Sequence, residues 1–144
     1  MDLSSKSEYA LLALLELSAG YGGGEPLQIR QICANQNIPD RYLEQLLANL
    51  RRAGLVKSQR GARGGYILAR APWLISLYDV ISCIEGLEAQ GETTKVPETV
   101  EASVIQEVWS EVRQAMAQAL QRYTLKDLLE RRNAKQQLDI MYYI

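Results

Sequence analysis

The stretch that decides the fold is Ile38-Pro39-Asp40-Arg41-Tyr42-Leu43-Glu44-Gln45-Leu46-Leu47-Ala48-Asn49-Leu50-Arg51-Arg52-Ala53-Gly54, continued by Leu55-Val56-Lys57-Ser58-Gln59-Arg60-Gly61-Ala62-Arg63-Gly64-Gly65-Tyr66. Leu43, Leu46, Leu47 and Leu50 recur at i, i+3, i+4 and i+7, the stripe of a helix with one buried face. Pro39 suits the first turn of that helix, where a missing N–H costs nothing, and Gly54 supplies the stop. Opposite the leucines lie Arg41, Gln45, Ala48 and Arg52, with Glu44 on the shoulder, so the outer face is basic and rich in hydrogen-bonding groups. Two short strands, 55–58 and 66–70, then bracket a glycine-rich connection. Its glycines permit positive φ and a close approach to another surface. Arg60 and Arg63 stand at the tip of the hairpin.

Working outward, residues 5–17 read as a first helix, with Ser5 and Glu8 at the spacing of a capping box. Leu11, Leu12, Ala13, Leu14, Leu15 and Leu17 are apolar nearly all round, which places this helix centrally. Gly20 and Gly22-Gly23-Gly24 end it, and no Lys-Ser/Thr pair follows, as a nucleotide-binding loop would require. Pro26 opens a short second helix with Ile29, Ile32 and Cys33 inward, and Asn35-Gln36-Asn37 forms the break. Helix, short helix, tight break and polar-faced helix make a helix-turn-helix, and the hairpin beside it makes a wing.

On the other side, Ser76 and Asp79 repeat the capping spacing ahead of Leu77, Val80, Ile81 and Ile84, with Gly86 as the stop. Residues 87–100 read as an exposed loop. A long helix over 101–123, about 35 Å at 1.5 Å per residue, carries Ile105, Val108, Val112, Ala115, Ala119 and Tyr123 at spacings of three or four. That stripe has the narrowness of a coiled-coil seam and predicts a dimer interface. Thr124 and Asp127 cap one more short helix with Leu125, Leu128 and Leu129, and the chain ends on the apolar Met141-Tyr142-Tyr143-Ile144. The expectation is a mainly α protein: a winged helix-turn-helix with a two-stranded wing and a long C-terminal dimerisation helix. It divides into a head at 1–86, a loop at 87–100 and a dimerisation segment at 101–144.

Composition narrows the function. Residues 28–70 hold Arg30, Arg41, Arg51, Arg52, Lys57, Arg60, Arg63 and Arg70 against Asp40 and Glu44, a net of +6 in a 144-residue chain of formal charge −1. Such a block is the footprint of a polyanion partner, because each neutralised phosphate releases condensed counterions; a solvated basic surface would give the same count. The chain has no histidine, which removes the Ser-His and Cys-His nucleophile pairs and the commonest metal ligand. No enzyme and no metal site is expected. Cys33 and Cys83 do not make a disulfide framework, no apolar run approaches a membrane span, and the N-terminus lacks the features of a signal peptide. The expected compartment is the cytoplasm.

The joined third-helix and glycine-wing motif quoted above resembles the IscR/CymR (Rrf-two) family of bacterial winged-helix regulators. The likeness extends to Ser5-Lys6 and Tyr9-Ala10, to Asp79-Val80-Ile81 with Glu85-Gly86, and to Thr124-Leu125 with Asp127-Leu128. It implies a homodimer whose long helices cross, placing two winged heads on successive major grooves of double-stranded DNA. It also implies DNA contacts at Arg41, Glu44 and Arg60. Arginine can donate two bonds to guanine, glutamate can accept from cytosine N4, and a slender arginine tip can enter a narrow minor groove. Lys6, Arg51, Arg52, Lys57, Ser58 and Arg63 read as phosphate contacts that position without specifying. Ser5, Gln28, Tyr42, Gln45, Gly64 and Tyr66 complete the candidate DNA-binding set.

Iron–sulfur members of that family hold their cluster with three cysteines, often with a histidine, ahead of the long helix. Residues 86–108 here contain neither type, with Ser103 and Gln106 at the ligand positions, so no cofactor is expected. The expected function is a sequence-specific transcription regulator, a homodimeric repressor reading a pseudo-palindromic operator, with an effector metabolite or regulatory protein as a further partner. The alternative is a winged-helix module that contacts another protein without specific DNA readout.

Overall fold

The computed structural model describes residues 2–86 and 98–142. Most of the expected 87–100 loop, and the terminal Tyr143-Ile144, lie outside the described residues. Helix α1 (Ser5–Ala19) carries Ala10, Ala13, Leu14 and Leu17 into the core at helical spacing. It is followed by α2 (Ile29–Gln36), α3 (Asp40–Arg52), an antiparallel hairpin of β1 (Val56–Gln59) and β2 (Gly65–Leu68), and a single 3-10 turn at Pro72–Leu74. Then come α4 (Leu77–Glu85), α5 (Val100–Arg122) and α6 (Leu125–Tyr142). The fold is the mainly α winged helix-turn-helix.

The leucine stripe of α3 behaves as its periodicity requires: Leu43, Leu46, Leu47 and Leu50 are buried. Leu43, Leu47 and Leu50 join Ile32, Ile38, Leu55, Val56, Ile75, Val80 and the α1 residues in one cluster. Asn37 takes the left-handed conformation (φ 54°) that ends α2, and buried Ile38 follows it as a plug between α2 and α3. The Ser76–Asp79 capping box forms as its spacing predicts, each side chain bonding the other's backbone N–H at 3.0–3.1 Å.

Three local expectations are corrected. The cap of α1 is Ser4, whose hydroxyl accepts from the Ser7 amide at 3.1 Å, rather than Ser5. Pro26 does not open α2; the chain stays extended through Leu27, which exchanges two backbone bonds with Tyr66 of β2 at 2.8 and 3.0 Å, and Gln28 occupies the cap. The last helix is not short. Thr124 and Asp127 do cap it, but it runs 18 residues to Tyr142.

The C-terminal helices are tied back to the head. Leu77 N–H donates to the Tyr123 carbonyl at 2.9 Å, Leu125 N–H donates to the Ile75 carbonyl at 3.0 Å, and Leu125 is fully buried in the head's core. A second tie joins the ends of α1 and α4. Glu85 accepts hydrogen bonds from the Ser4 hydroxyl and from the buried Ser7 hydroxyl, the latter at 2.9 Å. These bonds, the first from Ser4, hold the Glu85 carboxyl below the usual carboxylate range. A carboxylate stabilised in the folded state adds stability that is fully present above its unfolded-state pKa and is lost as pH falls through the folded value. Ser7→Ala should therefore raise the Glu85 pKa measured by carbon-13 NMR and reduce the wild-type advantage near neutrality, while the two proteins converge in strongly acid solution.

Candidate nucleic-acid interface

Helix α3 presents Arg41, Tyr42, Glu44, Gln45, Arg51 and Arg52 to solvent, and β1 and the wing turn present Lys57, Ser58, Arg60 and Arg63. The Arg41 guanidinium lies 5.5 Å from the centre of the Tyr42 ring, a cation–π arrangement that holds it at the N-terminal end of the helix. Tyr42 in turn meets Tyr9 of α1 at 6.3 Å between centroids. This contact sets the first turns of α1, with exposed Ser5 and Lys6, beside those of α3.

At the other end of α3, Arg51 Nη1 donates to the Ser58 hydroxyl at 3.4 Å, linking helix to wing. Arg52 donates to the Asn49 side chain of its own helix. Glu44 forms no ion pair with Arg41 or Arg51; among the described residues the only side-chain ion pair within 4.0 Å is Lys126–Glu130 on α6. The cations of the α3–wing surface therefore face solvent with no carboxylate within 4.0 Å of them among the described residues.

The wing's shape comes from its glycines. Gln59 pairs with Gly65 at the mouth of the hairpin, and Gly64 donates its N–H to the Gly61 carbonyl at 2.9 Å inside the turn. Gly64 is buried in the single chain, inside the fold of the turn. Tyr66 is half-buried and packs against the core. The turn curls over the start of α2 and leaves a groove of about 760 Å³ bounded by Gln28, Arg30, Gln31, Gln59 and Arg63. Gln28 receives the Arg30 Nε–H at 2.9 Å, so Arg30 and Arg63 flank one groove. Arg30 was counted in the basic block but not among the contact residues.

Helix α5 packs against α4 yet buries no residue of its own. Ile105 and Val108 of the expected seam are 69% and 52% exposed, Ala115 is exposed, and Tyr123 is 39% exposed with Arg131 stacked on its ring at 5.2 Å. Val112 and Ala119 are half-buried within the single chain. Val104 and Trp109, half-exposed beside the seam, were not part of the expected stripe; a broader apolar face than strict coiled-coil spacing would have included them.

The donor set for metals is poor. Among the described residues no three His, Cys, Asp or Glu side chains gather where they could hold an ion. Cys33 is buried, and burial followed by the nearby Asp40 pushes its thiol up to about 11; burial also raises Cys83. Two protonated thiols on separate helices do not fit the thiolate set an iron–sulfur cluster requires.

Comparison with known proteins agrees with this geometry. The model of the Rrf2 family, described as an iron-dependent transcriptional regulator, matches residues 3–131. The chain belongs to the Rrf2 family. Its relatives there include the helix-turn-helix transcriptional regulator CymR of Bacillus subtilis, 37% identical over 144 residues and covering the whole of both chains. The solved structure of CymR, the global cysteine regulator of B. subtilis, superposes with a TM-score of 0.75 at 36% identity, over 90% of this chain and 97% of that one. The structure of T. potens IscR gives 0.74 at 37% identity, over 90% and 87%. Rrf2-family relatives of this closeness are DNA-binding transcription regulators, not enzymes, and so is this chain. No helix among the described residues is long and apolar enough to cross a membrane.

Proposed function

We propose that the chain is a cytoplasmic homodimeric repressor that reads a pseudo-palindromic operator without an iron–sulfur cluster. The observation that carries the reading is a recognition helix and wing whose arginines are exposed and unneutralised. In this reading Arg41, Glu44 and Gln45 address base edges in the major groove, and Arg60 enters the adjoining minor groove. Lys6, Gln28, Arg51, Arg52, Lys57, Ser58 and Arg63 hold phosphates and fix the register; Arg30 joins them through its groove with Arg63. Selection of a duplex from a random pool, followed by titration at two salt concentrations, tests the claim. Arg60→Ala should weaken the selected site by roughly 1–3 kcal/mol while changing binding to random duplex much less. Equal losses on both would reduce Arg60 to a phosphate contact.

Pairing through α5 is supported by the apolar side chains that one chain leaves uncovered there. Ile105→Glu should weaken self-association by about 2 kcal/mol and lower operator affinity with it, as read by sedimentation. A variant that remains dimeric at the same concentration would move the interface elsewhere.

A further inference from the structure

Beneath the C-terminal end of α3 lies a cleft of about 370 Å³ bounded by Ala53, Leu55, Arg70, Tyr78, Ser82 and Cys83. That volume lies near the small end of the roughly 300–1,000 Å³ typical of small-molecule sites. Its most unusual member is Ser82, whose hydroxyl oxygen is shielded from solvent and has no hydrogen-bond partner. A serine inside a helix commonly donates to the carbonyl four residues back, as Ser18 does to Leu14 at 2.6 Å. Ser82 does not, so a rotation about χ1 that turns its hydroxyl into the cleft breaks no bond.

Arg70 supplies the cleft's charge. Its Nε reaches the Gly54 carbonyl at 3.5 Å, and no carboxylate stands within 4.0 Å of its guanidinium among the described residues. The one carboxylate lining the cleft, Asp79, is already engaged by the Ser76 N–H at 3.0 Å in the cap of α4. The Cys83 thiol leans on the Asn49 carbonyl at 3.6 Å and lines the wall. A guanidinium with no carboxylate partner and a hydroxyl with no partner thus line one cleft, two donors without an acceptor.

We infer that this cleft binds a small metabolite through a carboxylate group, with Arg70 gripping the carboxylate and Ser82 donating to it. The guanidinium fork matches a carboxylate in two parallel bonds. The cleft sits where α3 turns into β1, at Gly54 (φ 78°) and Leu55. Drawing Arg70 away from the Gly54 carbonyl loosens the junction that spaces recognition helix from wing. That consequence rests on the DNA-binding geometry proposed above; the binding itself does not.

The test titrates the nitrogen-15-labelled full chain, without DNA, with sodium acetate, inorganic phosphate and sodium chloride at matched ionic strength. The expected result is a saturable shift of the Gly54, Ser82 and Cys83 amides with acetate alone. Arg70→Gln should abolish saturation, and Ser82→Ala, which keeps the fold, should weaken it about fivefold. Saturation by phosphate but not acetate, identical shifts with chloride, or an unchanged curve for Ser82→Ala would each overturn the inference. Operator binding by the acetate-free protein is measured separately, so failure of DNA recognition leaves the titration readable.

Discussion

Leu47→Ala should cost about 2–5 kcal/mol of folding stability and lower Tm by roughly 10 °C, measured at fixed protein concentration by urea and thermal unfolding. Leu47 is wholly buried on α3, in the cluster that α1, α2 and β1 share with it. Removing its branched end forfeits the transfer energy of the lost groups and leaves a cavity that helices pinned on several sides cannot close. The matched control is Gln45→Ala, two residues earlier on the exposed face of the same helix; it should stay within about 0.5 kcal/mol of wild type while impairing DNA binding. A cost below about 1 kcal/mol at Leu47 would mean that α3 is not seated by its leucines.

Gly65→Ala should cost about 3 kcal/mol in stability and at least tenfold in operator affinity. Gly65 has φ 155°, and a β-carbon built there would lie 2.6 Å from the Leu27 carbonyl carbon and 3.1 Å from the Gln28 nitrogen. Both obstacles are backbone, so no side chain can rotate out of the way. Relief requires parting Leu27 from Tyr66, and with it both bonds that hold the wing to the segment ahead of α2. Amide exchange at Leu27 and Tyr66 should quicken selectively, with α4 and α5 unaffected. A variant that exchanges and binds like wild type would show that the wing does not need this anchor.

What the sequence made legible follows from how local the cause is. The α3 stripe and the Ser76–Asp79 box are set within a few residues, and both form as read. The cap of α1 lies one residue earlier than the spacing suggests because Ser4 and Ser5 are adjacent and both offer a hydroxyl; Ser4 takes the Ser7 amide and also reaches Glu85, far along the chain. Pro26 misled for a related reason, since the pairing of Leu27 with Tyr66 holds that segment extended against its local preference. The length of α6 was hidden because its apolar period fades after Leu129, although Glu130 to Gln137 is rich in strong helix formers. The exposed arginines of α3 and the wing were visible from spacing alone. The Arg70–Ser82 cleft was not: its parts come from the end of α3, the strand exit and α4, and no single window contains them.

The bonds that clamp both flanks of the 75–77 and 123–125 crossing make α5 a braced strut, not a swinging arm. In a pair of such chains the distance and twist between the two reading heads would be built into the protein, leaving the intervening base pairs little latitude in number. Selectivity would then come as much from the gap between the half-sites as from the bases inside them.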